Sequence, residues 1–174
     1  MFTEVAPGVF SVGSRFVAGK CGVIIGGRGA LTVDVSLYPD EGQAMADFLR
    51  ARGLQPDRVI LTHGHHDHVL GGMAYQGAEV YAHAETPAIM REGIPRWAAR
   101  LNQSAEELTA RALWPTITFQ GELRFALGGK HVHAFPAPGH SPDHICVFVE
   151  EGRVLFGGDA AVTGIVPAVH FYDA

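Results

Sequence analysis

Between Thr62 and His68 the chain reads Thr-His-Gly-His-His-Asp-His, directly behind the short run Arg58-Val59-Ile60-Leu61. His63, His65 and His68 thus share six residues with the carboxylate of Asp67. Imidazoles and a carboxylate crowded at a strand end lose solvation and gain little from one another unless a cation gathers them. His63 and His65, two apart, point the same way while the segment stays extended. Asp67 and His68 need the chain to turn, which brings a second pair of donors to a neighbouring point. The spacing therefore implies two adjacent metal positions. The alternative is a solvent-exposed His-rich loop that binds metal adventitiously. His66 is out of phase and reads as a solvent-facing residue or one that supports its neighbours.

Two further segments follow in order, Pro138-Gly139-His140-Ser141-Pro142-Asp143-His144 and Val154-Leu155-Phe156-Gly157-Gly158-Asp159. Together with the histidine cluster they resemble the signature of the metallo-β-lactamase-fold hydrolases, in particular the glyoxalase II-like branch. The likeness runs from Gly8-Val9-Phe10 through Leu31-Thr32-Val33-Asp34 to Asp159. It implies an α/β fold, the four-layer αβ/βα sandwich, as a single domain over residues 1–174. It also implies that His63, His65 and His140 bind a first ion, and that Asp67, His68 and Asp159 bind a second, with Asp159 bridging the two. The family usually adds a late His on a downstream strand and a closing helix. This chain ends fifteen residues after Asp159, with His170 as the only His in that tail. The C-terminal part of the sandwich is thus expected to be incomplete. His170 reads as a surface or core histidine, the other reading being a substitute ligand.

The resemblance carries a chemistry. An all-nitrogen set at the first ion leaves a tetrahedral position open, where zinc lowers the pKa of water to about 7 and makes a metal-bound hydroxide. A second cation on Asp159 would polarise the oxygen under attack, and Asp67 would orient the hydroxide or pass a proton to the leaving group. An Asp in the last motif is unlike the true β-lactamases and similar to thioesterases, lactonases and glyoxalase II, so the implied substrate is a small ester, thioester or lactone. A second enzyme reading resembles the persulfide dioxygenases of the same fold, in which His63, His140 and Asp159 would hold one Fe2+. A third is an inactive fragment or half of an assembly.

These residues need elements to carry them. Gly22–Gly26 and Ala30–Val35 read as a hairpin around Gly27-Arg28-Gly29, with Asp34 at a strand end placed to orient a ligand or loop. Pro39 to Arg52 carries Ala44, Met45, Phe48, Leu49 and Ala51 at helical spacing, stopped by Gly53. The strand Arg58–Leu61 delivers the histidines, Gly71-Gly72 allow a close turn beneath them, and Glu79–Ala82 is another strand with His83 in the loop after it. Three helices are expected between Glu85 and Trp114, opened by Pro87, by Pro95 and by the capping box Ser104-Ala105-Glu106-Glu107. Trp97, Leu101, Leu108, Leu113 and Trp114 either pack these helices down or line a cleft, and Arg91, Arg96 and Arg100 form a solvated face. Short strands follow at 117–119, 123–125, 131–135, 145–149 and 154–156. His131 and His133 share a face there, but His140 is the residue that the family motif selects.

Composition sets outer bounds. At 174 residues and 47% hydrophobic the chain can bury one substantial core, and no stretch is apolar and long enough to span a bilayer. A net charge of -5 offers no basic stripe for nucleic acid. Met1-Phe2-Thr3-Glu4 has neither a basic segment nor an apolar signal core, which points to the cytoplasm. Cys21 and Cys146 sit in apolar runs and read as buried free thiols. An incomplete sheet would expose an edge that a homodimer could cover.

Overall fold

The computed structural model describes residues 1–16, 20–27 and 29–161. His170 lies outside the described residues. Seven strands form a first sheet in sequence order: β1 (Phe2–Ala6), β2 (Val9–Gly13), β3 (Lys20–Gly26), β4 (Gly29–Val33), β5 (Arg58–Ile60), β6 (Glu79–His83) and β7 (Ile117–Phe119). The first four pair antiparallel and the last four parallel. A second, antiparallel sheet holds β8 (Leu123–Ala126), β9 (His131–Pro136), β10 (Ile145–Val149) and β11 (Val154–Phe156), in the order β11-β10-β9-β8.

Parallel pairing needs crossovers, and helices supply them. α1 (Pro39–Arg50) joins β4 to β5. Pro39 starts it, Asp40 and Glu41 lie in its first turn, Arg50 in its last, and Met45, Ala46 and Leu49 face inward. The single turn α2 (His66–Val69) follows β5, while α3 (Thr86–Leu101) and α4 (Ala105–Arg111) join β6 to β7. The expected capping box opens α4: Ser104 Oγ accepts from the Glu107 N–H at 3.0 Å and Glu107 accepts from the Ser104 N–H at 2.8 Å. Pro95 does not open a helix of its own. It sits inside α3, a correction to the sequence reading. Pro95 is on the exposed side, where water can serve the carbonyl left without a partner, while Met90, Ile94 and Trp97 are buried on the other. Burying three such side chains, at roughly 1.5–3 kcal/mol each, outweighs an interior proline penalty of about 3 kcal/mol. His83, expected in a loop, is instead the last residue of β6.

Alternating residues of the first sheet face two cores. Val23, Val59 and Val80 meet Met45, Leu49, Met90, Trp97 and Leu108 of the helices. Ile24, Leu31, Val33 and Ile60 meet Val132, Ala134, Ile145 and Val147 of the second sheet. The described residues thus build three layers of the expected α/β sandwich: helices, first sheet, second sheet. Gly22 keeps the two sheets close, since a Cβ there would lie 2.3 Å from the ring of Phe156 at the end of β11. Cys21 and Cys146 are buried and free, as expected. Trp97, Leu108 and Leu113 are core residues, whereas Trp114 lines an open cavity of about 540 Å³ with Arg91, Ile94, Pro95, Ala105 and Thr109. No helix among the described residues is long and apolar enough to cross a membrane.

Candidate metal centre

The topology brings the chemistry to one end of both sheets. β4 and β5 run parallel, so Asp34 and Thr62-His63 leave the first sheet side by side, with the Asp34 N–H on the Ile60 carbonyl at 3.0 Å. In the second sheet the β9–β10 connection carries His140 and the end of β11 carries Asp159. The Ile145 N–H donates to the Thr62 carbonyl at 2.8 Å and stitches the two ends together.

Three ring nitrogens converge there. His65 Nδ1 lies 3.0 Å from His63 Nε2 and 2.9 Å from His140 Nε2. His63 Nδ1 is 3.1 Å from Thr62 Oγ1, whose hydroxyl donates to Asp34 at 2.8 Å. The threonine oxygen can therefore accept the Nδ1 proton, which leaves a bare Nε2 lone pair facing the other two rings. Burial first, and then the neighbouring imidazoles, push His63 well below its ordinary pKa. Burial likewise takes His65 down to about 4, with His140 adding to the effect. A cation can serve all three, and four bonds of about 2.0 Å around one point would hold such atoms roughly 3.3 Å apart.

A second group adjoins the first. Ligand atoms of His63, His68 and Asp159 lie within 4.8 Å of one another, as do those of His63, His65 and His140. His68 Nε2 is 3.3 Å from Asp159 Oδ1 and 3.7 Å from Asp67 Oδ2, and Asp159 Oδ2 is 3.5 Å from His140 Nε2. Burial alone would lower His68, but the Asp34 carboxylate and the bonds to Asp159 and Asp34 hold its pKa well above the usual value. Asp67 is held well below the usual carboxylate range, its burial overcome by the His66 hydrogen bond and the His68 ring. The donor set fits divalent cations: bare imidazole nitrogens on one side, ionised carboxylates on the other.

The supporting residues divide as follows. His66 Nδ1 is 3.1 Å from Asp67 Oδ1, and its ring stacks on Trp97 at 5.6 Å and meets Phe16 edge-on at 5.3 Å, so it holds Asp67 in place. Asp34 lies 2.8 Å from His68 Nδ1, the orienting part read from the sequence. His131 and His133 pair instead with Glu151 and Glu122, at 2.5 and 2.9 Å. His144 went unread. It is fully buried beside His63, ring centroids 5.0 Å apart, with neither ring nitrogen in a hydrogen bond to any of the described residues. Its only signal in the sequence is its place at the end of the Pro-Gly-His segment.

The sequence profile of the Metallo-beta-lactamase superfamily matches residues 15–174. This chain belongs to that superfamily. A probable metallo-hydrolase, YqgX of Bacillus subtilis (strain 168), is 29% identical over 130 residues, which cover 71% of this chain and 58% of the relative. An atrochrysone carboxyl ACP thioesterase of Pseudocercospora fijiensis is 30% identical over 147 residues, covering 84% of this chain and 36% of the relative. The chain therefore spans only part of the length of these relatives. A crystal structure of a metallo-β-lactamase family protein from Thermus thermophilus superposes with a TM-score of 0.72 at 24% identity, covering 97% of this chain and 64% of the other. That likeness speaks for the fold alone. Family and His/Asp cluster together point to a metal cofactor.

Proposed function

We propose that residues 1–174 form one domain of a metal-dependent hydrolase, with zinc in the first group and a small ester, thioester or lactone as substrate. The observation that carries this reading is the convergence of His63 Nε2 and His140 Nε2 to within 3.0 Å of His65 Nδ1, beside the His68–Asp159 pair. Zinc suits an all-nitrogen set. A thioesterase among the relatives supports the substrate class. When bound, the cation supplies water acidified to a pKa of about 7 and a Lewis acid for the substrate oxygen. His63, His65 and His140 would hold it. His68 and Asp159 offer a second position next to the first. Asp67, held in place by His66, would orient the nucleophile or pass a proton to the leaving group.

The test pairs metal analysis with two assays on one preparation: hydrolysis of 4-nitrophenyl acetate, an acyl thioester and a simple lactone, and oxygen uptake with a glutathione persulfide. Zinc with hydrolysis that disappears in His65→Ala supports the proposal. One iron with persulfide-dependent oxygen uptake and no hydrolysis overturns it.

A further inference from the structure

The two ligand-bearing segments lie far apart in sequence, and one buried carboxylate ties them together. Asp143 is fully buried. Its Oδ2 accepts the Gly64 backbone N–H at 2.8 Å across 79 residues of chain, and its Oδ1 accepts the Ser141 hydroxyl. Gly64 stands between His63 and His65, and Ser141 follows His140. The fit is close, because a Cβ at Gly64 would come 3.3 Å from Asp143 Oδ2 and 3.0 Å from the Thr86 carbonyl. Both bonds go to uncharged donors, so the carboxylate is buried with no cationic side chain in either contact. Burying such a charge is costly unless hydrogen bonds and a nearby cation offset it. We infer that Asp143 is a positioning residue. It acts through Gly64 and Ser141 to set the spacing between the His63/His65 pair and His140, and it adds negative charge behind a cation held by the three. Removing it loosens the three-nitrogen site without removing a ligand.

The inference rests on the metal reading above, and the experiment separates the two. Metal-stripped protein is titrated with Zn2+ against a chromophoric chelator, with apo-protein melting and the visible spectrum of Co2+-loaded protein as parallel readouts. Asp143→Ala should weaken the tight equivalent roughly tenfold to a hundredfold and alter the cobalt spectrum, the loss typical of residues that orient metal ligands. Asp143→Asn, which keeps an acceptor for Gly64, should lose less than Asp143→Ala. Leu108→Ala in the distant α4 core should lower the apo melting temperature yet leave zinc affinity unchanged, which separates positioning from general stability. Should Asp143→Ala not fold, Asp143→Asn and Ser141→Ala carry the test, each expected to weaken binding measurably. Wild-type affinity in every variant that folds overturns the inference alone. A wild-type protein with no tight equivalent overturns the metal reading and this inference with it.

Discussion

The Asp34 carboxylate lies 2.8 Å from His68 Nδ1 while it also accepts the backbone N–H of Thr62 at 2.7 Å and the Thr62 hydroxyl at 2.8 Å. One residue following β4 thereby orients the ring of His68 and, through Thr62, bears on Nδ1 of His63. Its own backbone is left-handed, with φ 57°. Asn tolerates that conformation. Asp34→Asn should therefore fold yet bind metal roughly tenfold to a hundredfold more weakly. Asp34→Ala strands buried donors as well, at about 1–3 kcal/mol for each one left unpaired. Calorimetric metal titration and denaturant melts measure the two losses separately.

Chelation should lower the melting temperature, because the loops that carry His63, His65, His140 and Asp159 depend on a cation to gather them. His140→Ala should abolish the tight equivalent in a metal titration. Apo and loaded protein melting together at saturating metal would show the site to be structurally idle.

Gly22→Ala should destabilise the protein by about 1–3 kcal/mol, since the added methyl meets the Phe156 ring at 2.3 Å. Phe156 precedes Asp159 by three residues, so the same variant should weaken the His68–Asp159 group more than the three-His group. Urea unfolding and a two-step metal titration read out both effects.

Glu41 binds the loop after β2 to the first turn of α1. It accepts from the Ser14 hydroxyl at 2.9 Å, from the Arg15 N–H at 2.9 Å and from the Ser36 hydroxyl. Partial burial raises its pKa, but these three bonds outweigh it and leave the group below the ordinary 4.5. A carboxylate depressed in the folded state adds stability above its unfolded pKa, and that stability is lost as pH falls through the folded value. Glu41→Gln should thus cost most at pH 7, with the gap to wild type closing below pH 4.5. A gap that stays constant in thermal melts down to pH 3 would contradict this.

Pro95→Ala should raise the melting temperature, because it restores a hydrogen-bonding N–H within α3 at an exposed position. The gain should not exceed about 3 kcal/mol, the cost of an interior proline. A lower melting temperature would show that the ring makes contacts of its own.

Local signals made much of this legible. The box at Ser104–Glu107, the strand before His63 and the helix over Met45 and Leu49 each depend on neighbours in sequence, and each formed where its pattern stood. Pro95 misled because the force that overrides a proline is the burial of Ile94 and Trp97 against a sheet that local sequence does not reveal. Of the residues proposed for the site, His63, His65, His68 and Asp67 stood out by crowding, and His140 and Asp159 by resemblance. Asp143 and His144 did not. Their partners, Gly64 and His63, are about eighty residues away, and no periodicity reports such a contact.

His65 and His140 meet although 75 residues separate them. After His68 the chain leaves the site, runs through α3, α4 and the strands β6 to β9, and returns at His140. The exposed positions of the stretch from Thr86 to Arg111, such as Glu92, Arg96 and Arg100, are free to change, whereas Met90, Trp97 and Leu108 are core and Trp97 stacks on the His66 ring beside Asp67. The outward face of the helices can thus vary while the residues that pack beneath the imidazoles stay fixed.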